Sequence, residues 1–349
     1  MSVNSVREND RVYERFQLIV NGPALFNAVV TALELDVFKL LSDHPGSDFD
    51  SIRESTRVPA HQLRVLLHAL CSTELVDKRD GGYTNSSVAQ ELLAGDGPDS
   101  WRHILLGWQK IYYPAFAQMT PALRAGTNTA LATHPGDEPT LYQRLAHDPE
   151  LEKVLHASMG AFTLQSVPGL LDNADLSTVR HLLDVGGGDG TTAKQLVELH
   201  PNLRVTVFDM PSVTEIAGSD VPEALAGRLA LHPGDLFADA FPQDADAILF
   251  SHLLEVFSEE QIRRLLAKAY DALPSGGRIF LYGFDAADQE RRGTFAARLS
   301  LYLNVLATGQ GMAYPAGDYA NWLERTGFSG VETYTDLPYD HALVTGTKK

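Results

Sequence analysis

Apolar residues recur at mostly helical spacing from Val12 to about Leu41, through Phe16, Ile19, Val20, Leu25, Phe26, Val29, Val30, Leu33, Val37 and Leu40. This spacing predicts helix across the stretch. Residues 50–57 and 60–73 read as two short helices meeting near Val58-Pro59, and residues 75–78 and 82–84 as a hairpin turning at Asp80-Gly81. Helix-turn-helix followed by a hairpin is a winged-helix pattern. Residues 101–172 read as helical, interrupted by a Gly/Pro/Thr-rich loop over 126–139. Near Thr178 the character changes. Residues 179–185, 204–208, 246–251 and 278–283 read as strands alternating with helical stretches, the signature of a doubly wound parallel sheet. Residues 331–335 and 342–346 predict two final strands on either side of Leu337-Pro338-Tyr339, an antiparallel pair after five parallel units.

Three regions follow: a helical winged-helix domain over 1–100, a helical linker contributing to a substrate pocket over 101–177, and an α/β domain over 178–349. With 44% hydrophobic residues the chain of 349 has material for two cores. Charge narrows the partners. A formal charge of −17 disfavours nucleic acid, whose binding depends on Lys and Arg neutralising phosphates. The second winged-helix helix carries only Arg64 as a full positive charge, with Glu74 just beyond it. A structural or dimerising role is therefore expected for that unit, with no nucleic-acid partner. The polar start, including Arg7, Glu8, Asn9, Asp10 and Arg11, does not resemble a signal peptide, and no apolar run nears bilayer length, so no membrane partner is expected. The single cysteine, Cys71, excludes an intramolecular disulfide and a thiolate metal cluster, and fits a reducing cytoplasm. Neither a paired-cysteine motif nor a helical His-x-x-x-His is present, and no metal is expected.

The candidate chemistry begins at His181-Leu182-Leu183-Asp184-Val185-Gly186-Gly187-Gly188-Asp189-Gly190, a buried strand entering a glycine-rich turn and then a helix over 191–199. Such a turn lets the backbone approach a nucleotide-like ligand. Thr191 stands where a diphosphate-binding turn wants glycine, and Asp184 and Asp189 repel phosphate but suit an ammonium. S-adenosylmethionine (SAM) has an α-amino group and a sulfonium and carries no phosphate. The next strand ends in Asp209, whose carboxylate is suited to two ribose hydroxyls, followed by Met210. Gly234-Asp235-Leu236-Phe237 ends a third strand, where an acid and an apolar neighbour suit adenine.

These motifs, with Phe208-Asp209-Met210-Pro211-Ser212-Val213, Leu273-Pro274-Ser275-Gly276-Gly277-Arg278 and Gly327-Phe328, make the chain resemble the plant-type small-molecule O-methyltransferases, including bacterial antibiotic-tailoring enzymes. The resemblance covers nearly the whole chain. It implies a Rossmann-like SAM-methyltransferase domain, a seven-stranded sheet with a terminal antiparallel hairpin, and an N-terminal helical winged-helix domain that builds a homodimer. It also implies SAM as cofactor and a small aromatic substrate. By position, Gly186 and Gly188 would face the methionine portion, Asp209 the ribose, and Asp235 and Leu236 the adenine, with Asp184 and Met210 also at the cofactor. Ser251 takes the place of a family lysine near the cofactor, and Met159 that of a methionine beside the reacting methyl. Phe162, Asn304 and Trp108 would line the acceptor pocket.

The family pattern after the fourth strand includes a catalytic histidine before a Ser/Asp-Asp/Glu-Glu turn. Aligning Ser258-Glu259-Glu260 puts Glu255 at the histidine's position. Of two carboxylates that orient the histidine, one position is Gly283 and the other Asp318. Glu255 is then a base only if apolar neighbours raise its pKa toward that of a phenol. His252 is the competing base, and transfer to oxygen or to a ring carbon ortho to a hydroxyl are both open. Two other readings compete: a SAM-retaining enzyme that does not methylate, and a SAM-sensing winged-helix regulator, which the charge disfavours.

Overall fold

Asp36 takes a left-handed φ of 56°, so the first helical stretch is two helices, Asp10–Glu34 and Val37–Asp43. The computed structural model describes residues 10–218, 221–225 and 227–349, so Arg7, Glu8 and Asn9 lie outside the described residues. Helices Phe49–Thr56 and Ala60–Ser72 follow, then strands β2 (Val76–Arg79) and β3 (Gly82–Asn85). Their hairpin turns at Asp80-Gly81, both at positive φ, as the Asp-Gly pair requires. A two-residue strand, β1 (Ser47–Asp48), pairs with β3 and is too short to leave a periodic signal. The chain divides into two compact units after Lys110, so the helical stretch over 101–177 is shared between them.

In the first unit, the outer half of helix Asp10–Glu34 leaves Val12, Phe16, Ile19 and Val20 exposed, Ile19 at 74%. This corrects one expectation: the helix over Arg11–Glu34 is long and apolar enough to cross a membrane by length and composition. Interleaved polar residues such as Gln17, Asn21 and Asn27 break the apolar run, while its mean hydropathy stays high. An exposed apolar stripe on a helix is also what a second copy of the chain would cover. Light scattering at micromolar concentration is expected to give a dimer, and Phe16→Glu with Ile19→Glu a monomer. A monomeric wild type would overturn this.

In the second unit, strands β4 (His181–Val185), β5 (Arg204–Asp209), β6 (Leu229–Pro233), β7 (Ala247–Ser251), β8 (Arg278–Phe284), β9 (Phe328–Leu337) and β10 (His341–Lys348) form one sheet. Its order is β6-β5-β4-β7-β8-β10-β9, the first five parallel and β10 antiparallel to both neighbours. Successive side chains feed opposite faces. Leu183 and Val185 pack with Phe250, Ile262, Leu266 and Trp322, whereas Leu182 packs with Val205, Val207, Leu196 and Leu249. Strand β4 is buried throughout, which is why it reads as a continuous apolar run. Edge strand β9 is longer than expected because its exposed polar positions dilute the pattern. The strand order reverses between β4 and β7, so the carboxyl ends of β4, β5 and β7 open onto the crevice where such sheets bind ligands.

Candidate active site

Strand β4 runs into Gly186, whose φ of 70° and close packing both demand glycine: a Cβ there would lie 2.6 Å from Leu253 Cδ1. Its N–H donates to the Phe208 carbonyl at 2.8 Å, and Gly188 and Gly190 continue the left-handed turn into helix Thr191–Leu199. Asp184 lies fully buried just before this turn, and neither carboxylate oxygen has a hydrogen-bond partner. Burial, and then the nearby Asp209 charge, push its pKa up to about 7. Asp209 accepts the Gly188 N–H at 2.9 Å and the Met210 N–H at 2.7 Å. Burial raises its pKa, and these two amides hold it back. Met210 is exposed beside it.

At the end of β6, the exposed Asp235 accepts the N–H groups of Phe237 and Ala238 at 2.7 and 2.8 Å, which hold its pKa low. The half-buried Leu236 follows, its carbonyl accepting from Lys268 Nζ at 2.6 Å. A glycine turn, unpartnered buried carboxylate oxygens and strand-end acids thus converge at one edge of the sheet. This donor set fits a cationic nucleoside with ribose hydroxyls and would repel a diphosphate.

The loop after β7 carries the remaining candidates. His252 has a φ of 52°, rare for a residue with a side chain, and is held by donating its N–H to the Tyr282 carbonyl at 2.8 Å. Its Nδ1 lies 3.3 Å from Ser251 Oγ and its Nε2 2.8 Å from Nε2 of His341. Burial first, and then the neighbouring His341 ring, lower its pKa well below the usual imidazole range.

Three residues on, Glu255 sits in a short 3₁₀ turn, Leu254–Val256, with 4% of its surface exposed. Its Oε1 has no hydrogen-bond partner. Burial pushes its pKa up to about 7 against the backbone N–H groups of Glu255 and Phe284. A Cβ at position 283 would lie 3.0 Å from both carboxylate oxygens. The missing acid at Gly283 and the glutamate at 255 are therefore one local arrangement: the glutamate fills the space where a side chain from β8 would begin. It lines a cavity together with Leu254, Leu281, Phe284, Asp285, Ala316 and Tyr319.

Asp318 is exposed on the first turn of helix Ala316–Thr326, where burial and then Glu290 and Glu259 raise its pKa. It and Glu255 both act on the buried Tyr319, which follows Asp318 directly. Asn304 directs its amide group to the carbonyls of Ser300 and Gly311, at 2.9 and 2.8 Å, tying a π-helical turn to the following loop. Phe162 stacks on Phe284 at 5.5 Å, and Met159 is exposed on the same helix, Pro149–Ser166. Trp108 is buried in the first unit against the edge of Trp101.

Sequence reasoning missed three neighbours. His341 is fully buried beside His252. Asp285 is buried and accepts the Ala316 N–H at 2.9 Å; its place at the end of β8 was the available signal. Tyr142 has its hydroxyl pKa raised by burial and then by Tyr112, with the Glu255 charge adding to both.

The chain matches the O-methyltransferase domain over residues 116–329 and the O-methyltransferase dimerisation domain over 18–95. It is 29% identical to the L-tyrosine C(3)-methyltransferase of Streptomyces lavendulae, over 95% of this chain and 91% of that protein. It is 30% identical to the 3-hydroxy-5-methyl-1-naphthoate 3-O-methyltransferase of Streptomyces sahachiroi, over 92% and 91%. Among solved structures, the SAM-dependent methyltransferase SibL in its apo form superposes with a TM-score of 0.85 at 31% identity, covering 96% of this chain and 98% of that one. Human N-acetylserotonin methyltransferase in complex with SAM has the same fold, with a TM-score of 0.83 at 24% identity over 97% of each chain. The chain belongs to the O-methyltransferase family, with its dimerisation domain, and is a SAM-dependent methyltransferase.

Proposed function

We propose that this enzyme methylates a small phenolic metabolite, with Glu255 receiving or orienting the hydroxyl proton. The observation that carries the reading is the Glu255 carboxylate: buried, with one oxygen unpartnered, at the carboxyl end of β7 where the family keeps its base. SAM would lie along the turn from Gly186 to Gly190. Asp209 would accept from the ribose hydroxyls, Asp184 would supply negative charge beneath the ammonium, and Asp235 and Leu236 would border the adenine. When bound, SAM would supply its sulfonium methyl to an acceptor attacking in line, with the neutral thioether S-adenosylhomocysteine leaving as the carbon–sulfur bond breaks.

The chain's residues must align the acceptor and handle one proton. A phenol has a pKa near 10, so giving its proton to an ordinary glutamate near 4.3 is uphill by about 8 kcal/mol. With Glu255 raised to about 7 the cost falls to about 4 kcal/mol. A partly developed phenolate then presents two nucleophiles, the oxygen and the ortho carbon, and whichever lies in line with the methyl receives it. The two Streptomyces relatives are named for one outcome each, ring carbon and oxygen.

Incubation with methyl-labelled SAM and a panel of phenols, catechols, tyrosine, hydroxykynurenine and matched compounds lacking the hydroxyl tests this by mass spectrometry. One methyl should be added to hydroxylated members only. Equal transfer to the hydroxyl-free partners, or transfer to amines alone, would overturn it.

A further inference from the structure

The protons on the buried His341 and the half-buried His252 follow from their partners. His341 Nδ1 faces only carbonyl oxygens, those of Pro338 at 2.9 Å and Tyr339 at 3.0 Å. Carbonyls only accept, so this nitrogen carries a hydrogen. His341 has none of its surface exposed, and burial keeps the ring neutral at physiological pH. With its hydrogen on Nδ1, its Nε2 is a bare lone pair. That lone pair is 2.8 Å from His252 Nε2, so the single proton between the rings belongs to His252. Ser166 Oγ lies at a longer 3.5 Å from the same nitrogen and turns toward the Thr163 carbonyl at 3.2 Å, so it does not displace His341. A neutral His252 protonated on Nε2 has a bare Nδ1, and Ser251 Oγ stands 3.3 Å from it. The serine hydroxyl donates there, and its oxygen keeps only lone pairs for anything else.

The rings are locked as well as paired. His341 stacks on Tyr282 at 5.1 Å and packs on Phe284 at 4.4 Å, and it faces Phe284 across the β8–β10 ladder. Ser251 ends β7, next to the strand that enters the glycine turn.

We propose that His341 is a positioning residue: it fixes His252 as the Nε2–H tautomer and thereby makes the Ser251 oxygen an acceptor for an N–H group of the bound cofactor. SAM offers such groups on its adenine and its ammonium. Both His252 nitrogens are then committed, which leaves the acceptor's proton to Glu255. The cofactor part rests on the placement of SAM proposed above, whereas the tautomer part does not.

Long-range proton–nitrogen NMR on the full-length protein labelled with nitrogen-15 histidine at neutral pH should show His341 protonated on Nδ1 and His252 on Nε2. His252 protonated on Nδ1 in the wild type would overturn the proposal whether or not any variant folds. His341→Phe keeps a ring among its aromatic neighbours but removes the acceptor. It should release the His252 tautomer and weaken SAM binding by roughly three- to tenfold, the range of one hydrogen bond. Ser251→Ala should weaken SAM similarly, and the double variant should lose no more than either single one. His341→Gln, which restores an acceptor, should return affinity to within about twofold. Additive losses, or failure of the glutamine to rescue, would reduce His341 to packing and overturn its positioning role. Full affinity in Ser251→Ala would overturn the cofactor part. If Asp209→Ala binds normally as well, the placement of SAM itself has failed rather than the serine's role in it.

Discussion

Glu255→Gln is expected to lower turnover by roughly 10²-fold while leaving SAM affinity within about twofold. Glutamine keeps the shape that fits against Gly283 but cannot take a proton. The pH profile should separate a base from a packing residue. Wild-type turnover should rise with pH through about 7, because the raised pKa keeps the buried carboxyl protonated below it. In the variant that limb should vanish, leaving a slow rise toward the acceptor's own pKa.

Stability should move the opposite way. The folded pKa lies above the ordinary carboxylate value, so the native state holds this proton between roughly pH 4.5 and 7. The contribution is fully present below the lower value and lost as pH rises through the upper one. Glu255→Gln should therefore melt several degrees above wild type at pH 8 and nearly with it at pH 4.5. Near-wild-type turnover in this variant, together with loss in His252→Ala, would move the base to His252. A melting difference that ignores pH would mean that Glu255 is not the buried, ionisable group described.

Asp209→Ala is expected to weaken SAM at least tenfold by calorimetry. The variant loses the acceptor for two ribose hydroxyls. It also loses the anchor that holds the Gly188 and Met210 amides at 2.9 and 2.7 Å, so the turn itself should loosen. The same loss should appear as a smaller rise in melting temperature at a fixed SAM concentration, since ligand stabilisation follows the ratio of concentration to Kd. Unchanged affinity would remove Asp209 from the cofactor site.

Much of the frame is local chemistry, and the sequence alone determined it. The alternation that sends Leu182 and Leu183 to opposite faces, the buried run of β4, the glycine turn after Val185 and the acids ending β5 and β6 are all readable from a few consecutive residues. Composition also limited the partners. It could not distinguish an apolar helix made for a second copy from one of bilayer length, because both present the same side chains along Arg11–Glu34.

Which residues meet inside the site was decided only by the tertiary structure. His341 and His252 are 89 positions apart, and they touch because β10 inserts antiparallel beside β8 in a register that sets His341 opposite Phe284. Sliding that strand by one residue would turn His341 to the other face, and no local pattern encodes the choice. In sequence Gly283 is only an absent acid; in the fold it is the space that Glu255 fills. Asp318 is exposed on the first turn of its helix, where Glu290 and Glu259 act on it, and that surrounding is set by segments distant in the chain. Periodicity names the face a side chain takes. Strand order and register between distant segments decide what it meets there, and those are properties of the folded chain.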